Sequence, residues 1–258
     1  MAKTAVALIN KPAWVELSTP DAAASRAFYS RLFGWDVEVI EDPQYGGYGM
    51  ARIGDEDAAG IAPKQSAEQP TAWAVYFGTD DVDRLTDKVK SAGGTIITDP
   101  FDVGDQGRMA VFQDPSGAFF SGWQAAQMRR FALDQPNSYG WVELNARGPE
   151  RAIPFYEEVF GWTHTTSEAE GDNPAYTQFE LNGEQIAGAF EMNPAIPSSV
   201  PSYWMVYFNV DDIDRNFQQA LQAGAKEVVA PQDYPGGRFA ILSDPHGATF
   251  GLFKSARR

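Results

Sequence analysis

The sequence predicts an α+β protein assembled from four βαβββ modules, two in each half. A repeat, strands of period two alternating with amphipathic helices, and turn residues closing each unit carry that expectation. The stretch WVELSTPDAAASRAFYSRLFGW begins at Trp14 and returns as WVELNARGPERAIPFYEEVFGW at Trp141. Trp14, Glu16, Phe28, Tyr29, Phe33, Gly34 and Trp35 therefore meet Trp141, Glu143, Phe155, Tyr156, Phe160, Gly161 and Trp162 at a constant offset, 141 minus 14, or 127. Such an offset marks an internal duplication. AVYFGTDDVD from Ala74 likewise matches MVYFNVDDID from Met205, and GRMAVFQDPSGAFF from Gly107 matches GRFAILSDPHGATF from Gly237. The offset drifts by only a few residues, which places small insertions in loops.

Each element has a local reason. AWVELS alternates in period two and is rich in aromatic and branched residues, as a half-buried strand is. Thr19 is the expected cap of the helix that follows, with Pro20 in its first turn; Phe28, Tyr29, Leu32 and Phe33 form its apolar stripe and Gly34 its stop. The second copy repeats this from Pro149 to Gly161. YGMARIG and YTQFELNG read as strands ending in turns at Gly54 and at Asn182-Gly183. The next unit opens with the strand WAVYFG and a helix bearing Val82, Leu85, Val89 and Ala92 on one side, stopping at Gly93-Gly94. Its partner uses Ile213, Phe217, Ala220 and Leu221 and stops at Gly224. The expected organisation is an N-terminal domain over 1–126, a linker over 127–138 (QMRRFALDQPNS spans it), and a C-terminal domain over 139–258. Helices on one face of a sheet leave the other face free, and paired sheets of this kind curve around a cavity.

Composition excludes several classes of function. With no Cys in 258 residues, disulfides, thiolate nucleophiles and thiolate metal sites are ruled out. A formal charge of −15 repels nucleic acid and anionic membranes, so neither is an expected partner. No apolar run approaches the roughly 20 residues of a bilayer span, and the stretch MAKTAVALINKPAW is too weakly apolar for a secretory signal. The expectation is a cytoplasmic protein, monomeric or homodimeric.

The helix ends FYSRLFGW and FYEEVFGW, the helix starts DDVD and DDID, and the late turns DPSGA and DPHGA, taken in this order, resemble the vicinal oxygen chelate superfamily. That superfamily includes glyoxalase I, extradiol dioxygenases and bleomycin-resistance proteins. The resemblance covers nearly the whole chain and is nearest to two-domain actinobacterial-type glyoxalase-like members, some associated with antibiotic pathways. It implies two glyoxalase-like domains with curved mixed sheets. It implies activity only loosely, because one fold hosts many chemistries.

Enzymes of this superfamily hold a divalent metal on His, Glu or Gln from successive modules. Carried over by the resemblance, those positions fall on Trp14 and Trp141, Ala74 and Met205, and Ser121 and Gly251. None is a usual ligand for such a metal. The two His, His164 after a helix end and His246 within DPHG, are expected to face solvent or bond locally. Neither a metal nor another cofactor is therefore expected.

The resemblance also sets the register of the cavity face. It assigns Trp14, Glu16, Tyr76, Phe119 and Trp123 to the ligand site of the first half, and Trp141, Glu143, Met205, Tyr207 and Phe253 to that of the second. Val15, Leu17, Val75, Phe77, Val206 and Phe208 then face the helices. Aromatic strand residues equally suit an ordinary core, with the two indoles filling the space a metal takes in relatives, and both readings stay open here. Arg108 and Arg238 could reach an acidic ligand or brace Glu16 and Glu143, and bracing is the expected role because an unpaired buried carboxylate is costly. The loops EDPQYGGYG and SEAEGDNPAY have the composition of lids, and PAIPSSVPSY that of a stiff connection.

The expected ligand is a planar, hydrophobic aromatic small molecule, with or without a cationic group. The expected role is metal-independent binding: sequestration, self-resistance or an accessory role in antibiotic biosynthesis, with no catalytic residue. The alternative is a glyoxalase-like lyase or isomerase, or an oxygenase-type enzyme, with Glu16 or Glu143 as general base.

Overall fold

A computed structural model describes residues 8–127, 131–133, 135–169 and 174–256. The first half contains β1 (Pro12–Thr19), α1 (Ala22–Phe33), β2 (Asp36–Val39), β3 (Gly49–Ile53) and β4 (Glu56–Pro63), then β5 (Ala72–Gly78), α2 (Val82–Ser91), β6 (Thr95–Val103), β7 (Gly107–Gln113) and β8 (Phe119–Ala125). The second half repeats the plan with β9 (Tyr139–Ala146), α3 (Ile153–Phe160), β10 (Thr163–Ser167), β11 (Tyr176–Leu181) and β12 (Glu184–Glu191), then β13 (Tyr203–Asn209), α4 (Ile213–Gln222), β14 (Lys226–Tyr234), β15 (Gly237–Ser243) and β16 (Thr249–Ser255). The four βαβββ modules are present in the expected order. Part of the expected linker, residues 128–130 and 134, lies outside the described residues. So do residues 170–173 of the second loop expected to be a lid.

Each half forms one eight-stranded mixed sheet, ordered β2-β3-β4-β1-β5-β8-β7-β6 in the first and β10-β11-β12-β9-β13-β16-β15-β14 in the second. Within a module the first strand runs parallel to the last, β1 with β4 and β5 with β8; the modules join through antiparallel β1 and β5. Both sheets are open, with β2 and β6, or β10 and β14, at the edges. No helix among the described residues is long and apolar enough to cross a membrane.

The helix that follows β1 begins two residues later than expected. Thr19 is the last residue of β1, and its Oγ1 lies 2.8 Å from Ser25 Oγ. Asp21 caps α1 instead, accepting from Ala24 N–H at 2.9 Å, because its carboxylate lies nearer the free amides of the first turn. Gly34 and Gly161 end α1 and α3 in the left-handed conformation, as their positions predicted.

The two halves share a single hydrophobic core. Val15, Leu17, Val75 and Phe77 of the first sheet, and Val206 and Phe208 of the second, are all buried in it. Phe77 packs its ring against Phe160, Trp162 and Trp204 of the other half, with centroids 5.1–5.2 Å away. Phe208 does the same with Phe33, Trp35 and Trp73 at 4.9–5.5 Å. Each central strand thus inserts its phenylalanine into the aromatic cluster around the other half's first helix.

Polar bonds lock the same surface. Asp244 turns one oxygen to the amides of His246 and Ala248, which shapes the DPHG turn, and its other oxygen accepts from Tyr29 Oη at 3.1 Å. Trp73 Nε1 donates to that Tyr29 Oη at 3.0 Å. Asp114, Tyr156 and Trp204 repeat the arrangement with the halves exchanged, at 2.9 Å and 2.8 Å. The indoles of the FGW endings cross over too: Trp35 donates to Asn137 O and Trp162 to Asn10 O. Residues that repeat in the sequence are therefore the ones that tie one copy to the other.

Tyr29→Phe should leave a carboxylate oxygen and an indole N–H unpaired inside the core and destabilise the chain by about 1–3 kcal/mol. Urea denaturation followed by Trp fluorescence measures this. Because the core is common, the loss should appear as a shift of one transition covering both halves.

Candidate functional site

On the face of each sheet turned away from the helices, a carboxylate sits among phenols and an indole. Alternation along β1 sends Val15 and Leu17 to the core and Trp14 and Glu16 to the opposite face. In the first lobe Tyr76 Oη donates to Glu16 Oε1 at 3.1 Å, and Tyr48, just before β3, also bonds this carboxylate. Trp14 Nε1 donates to Tyr48 Oη at 3.0 Å, and Tyr76 bonds Ser121 as well. In the second lobe Tyr207 Oη donates to Glu143 Oε1 at 2.8 Å, Tyr176 and Asn145 add side-chain bonds, and Trp141 Nε1 donates to Tyr176 Oη at 2.9 Å.

Two glycines make these networks possible. Gly60 pairs with Glu16 and Gly188 with Glu143 across parallel strands. A Cβ on either would stand 1.9 Å from the oxygen of Tyr48 or Tyr176. Only a residue without a side chain lets the phenol lie over the strand and reach the carboxylate. Gly251 plays a different part: a Cβ there would meet the Tyr207 ring at 2.0 Å, whereas its counterpart Ser121 supplies a hydroxyl to Tyr76.

The electrostatics follow from burial. Glu143 is only 8% exposed, and none of the ion pairs among the described residues involves it or Glu16. Desolvation pushes both carboxyls up from the ordinary glutamate range, against the phenol hydrogen bonds, which favour the ionised form. Burial, reinforced by the neighbouring carboxylate, holds Tyr48, Tyr76, Tyr176 and Tyr207 above the ordinary tyrosine range. The phenols therefore stay protonated and act as donors.

The expected braces are elsewhere. Arg108 bonds Asp83 and Asp102, and Arg238 bonds Asp214 and Asp233. Both arginines alternate with Gly107 and Met109, or Gly237 and Phe239, and so lie on the helix side, where they reach the first turns of α2 and α4. Tyrosines hold the carboxylates in their place. His164 bonds Glu157 at 2.8 Å on the surface, and the amide of His246 belongs to the DPHG turn.

The other expected site residues are distributed unevenly. Met205 pairs directly with Glu143 and is buried beside it. Trp123 pairs with Gly78 and Phe253 with Asn209, each next along its strand to the row of Tyr76 or Tyr207. Phe119 starts β8 on the same face but is 48% exposed, at the margin. Tyr48 and Tyr176 were absent from the sequence reading of the site. Their signal was available, since each is the Tyr that opens the matched segments YGMARIG and YTQFELNG.

A resident metal does not fit this donor set. Trp14, Ala74 and Ser121, and Trp141, Met205 and Gly251, stand where the resemblance would put ligands, and each carboxylate is flanked by phenols. Among the described residues no group of three His, Cys, Asp or Glu could hold a metal ion. A divalent cation of this kind takes several carboxylate or imidazole ligands.

The raised carboxyl values fix a pH dependence. A glutamate that binds its proton more tightly folded than unfolded favours folding below the unfolded value, about 4.3. That contribution is lost as pH rises from there through the higher folded value. Glu143→Gln, which keeps an oxygen for Tyr207 but cannot ionise, should melt above the unmodified chain at pH 8. The gap should close on acidification toward pH 4, as read by thermal denaturation across the range. In a separate test, Gly188→Ala should displace Tyr176 from Glu143 and lower the melting temperature by several degrees, about 2–4 °C per kcal/mol in a chain of this size.

Comparison with known proteins places these features. The family model described as Glyoxalase/Bleomycin resistance protein/Dioxygenase superfamily matches residues 11–121 and 138–252. CFP32 of Mycobacterium tuberculosis, whose name proposes a glyoxylase, is 40% identical over 252 residues, covering 95% of each chain. The anthracycline biosynthesis protein DnrV of Streptomyces peucetius is 37% identical over 257 residues, covering 93% of this chain and 92% of its own. Among solved structures, the Mn(II)-bound glyoxalase from Novosphingobium aromaticivorans aligns with a TM-score of 0.68 at 16% identity, over 96% of this chain and 83% of that one. At that identity the likeness is one of fold. With the family matched in both halves and two relatives aligned over nearly their whole length, the chain belongs to the glyoxalase/bleomycin resistance protein/dioxygenase superfamily.

Proposed function

We propose that the chain is a metal-independent binding protein that encloses a planar, hydrophobic aromatic small molecule, in a sequestration, self-resistance or pathway accessory role. The observation that carries this reading is the carboxylate in each lobe, buried for Glu143 and partly buried for Glu16, held by tyrosine hydroxyls that an indole N–H fixes in turn, with no cationic side chain among the described residues paired to it. Flat rings stack on such a lining, and phenols already oriented by hydrogen bonds offer fixed polar contacts to a ketone or phenol of the ligand. The name of DnrV, a protein of anthracycline biosynthesis, supports a ligand of polycyclic aromatic character. The compartment consistent with this role is the cytoplasm, and either a monomer or a homodimer suffices, because each lobe builds its network from its own strands.

Titration with a tetracyclic anthracycline aglycone should quench Trp fluorescence saturably and to the same extent with and without EDTA. No saturable quenching across a panel of planar polyketides, or binding that EDTA abolishes, contradicts the proposal.

One observation favours a second reading. A carboxyl raised by burial is suited to taking a carbon-bound proton, which is the work of a lyase or isomerase base. Under this reading the chain catalyses hydrogen exchange in D2O at the carbon beside a ligand carbonyl, and Glu16→Gln or Glu143→Gln slows it about 100-fold or more. Proton NMR of the ligand distinguishes it from binding alone.

A further inference from the structure

The two lobes repeat the Trp, Glu and two Tyr but differ in what surrounds them. Strand pairing sets Tyr176, Phe190, Asn145 and Tyr203 side by side across β11, β12, β9 and β13, directly beside Glu143. In the first lobe the residues at the places of Phe190 and Tyr203 are Ala62 and Ala72, flanking Ser18. Tyr234, paired with Gly237, is replaced there by Val103, paired with Gly107.

These extra rings are ordered and reachable. Tyr176 stacks on Phe190 at 6.5 Å and 25°. Tyr234 packs against Phe239 at 5.7 Å and Phe253 at 6.2 Å while remaining 38% exposed, and Tyr203 is half-buried. Burial first, and the charge of Glu143 second, raise Tyr203 and push Tyr234 up to about 12. Glu143 is also the more enclosed of the two acids, with Met205 beside it where the first lobe has Ala74.

Aromatic rings clustered beside a desolvated carboxylate, with no lysine or arginine among the described residues paired to it, are the setting that recognises an onium group. The rings attract positive charge that is spread over methyl groups, and the carboxylate supplies the counter-charge. We propose that the C-terminal lobe is a cation-selective subsite, an aromatic cage around Glu143 that takes the quaternary or tertiary ammonium of an aromatic ligand, while the N-terminal lobe makes no such selection. This rests on the lobes being ligand-enclosing, and it assigns them different ligand classes.

The test uses the intact chain and a pair of probes of equal shape, benzyltrimethylammonium and its neutral isostere neopentylbenzene, with neutral anthraquinone as a third. Binding is read by Trp fluorescence and by calorimetry. The cation should bind at least about tenfold more tightly than its isostere. Glu143→Gln should erase that preference, and Tyr234→Leu, at a partly exposed strand end, should reduce it. Equal binding of the isosteres, no binding of the cation, or a preference lost in Glu16→Gln but kept in Glu143→Gln overturns the cage. Saturable anthraquinone binding alongside any of those results leaves the enclosing function standing. If none of the three probes binds, both fall.

Discussion

A carboxylate withdrawn from water, with no cationic partner among the described residues, is the constraint on which the rest of this structure turns. Such burial is tolerated only if hydrogen bonds replace the lost solvent or the group keeps its proton. Here two phenols and the strand geometry do the replacing. Their placement explains Gly60 and Gly188, whose missing side chains let Tyr48 and Tyr176 lie over β4 and β12. It explains Trp14 and Trp141, which fix those phenols from the far side. It also accounts for the poor fit of a metal, because the positions beside the carboxylate hold an indole, an Ala or Met and a Ser or Gly rather than imidazoles and further acids.

The duplicated architecture gives that constraint its setting. Helices and bulky rings of both halves meet in one core, and the DPSG and DPHG turns reach across it to Tyr156 and Tyr29. Two faces are left outside this core, one per sheet, each bearing an acid. Duplication also frees the copies to differ: the second carries rings at Phe190, Tyr203 and Tyr234 where the first has Ala62, Ala72 and Val103. The same backbone plan thereby offers two chemically distinct surfaces.

Much of this was legible in the sequence, and the misses have physical causes. Period-two alternation in WVEL is enough to put Glu16 and Glu143 on the face away from Val15 and Leu17, since strand parity leaves no other choice. The aromatic helix endings could be read as core from helical spacing, which puts Phe28, Tyr29, Leu32 and Phe33 on one face. For the arginines, strand parity outranks charge complementarity: Arg108 alternates with Met109, so it lies with Ala110 and Phe112 on the helix side and meets Asp83 rather than Glu16. Tyr48 stands just before β3 and Tyr176 at the start of β11, and parity alone does not reveal that a glycine on the neighbouring strand lets each phenol cross it to the carboxylate. Thr19 was displaced as a cap by Asp21, a competition between two good cappers two residues apart that turns on where the strand ends.

The central claim, a glutamate in each lobe held by tyrosines with no cation among the described residues paired to it, is tested most directly by a carbon-13 NMR titration of the side-chain carboxyls. With resonances assigned through Glu16→Gln and Glu143→Gln, two carboxyls should titrate clearly above the ordinary glutamate value of about 4.3. If both titrate at or below that value, the acids are solvated or paired with a positive charge, and the account of the site is wrong.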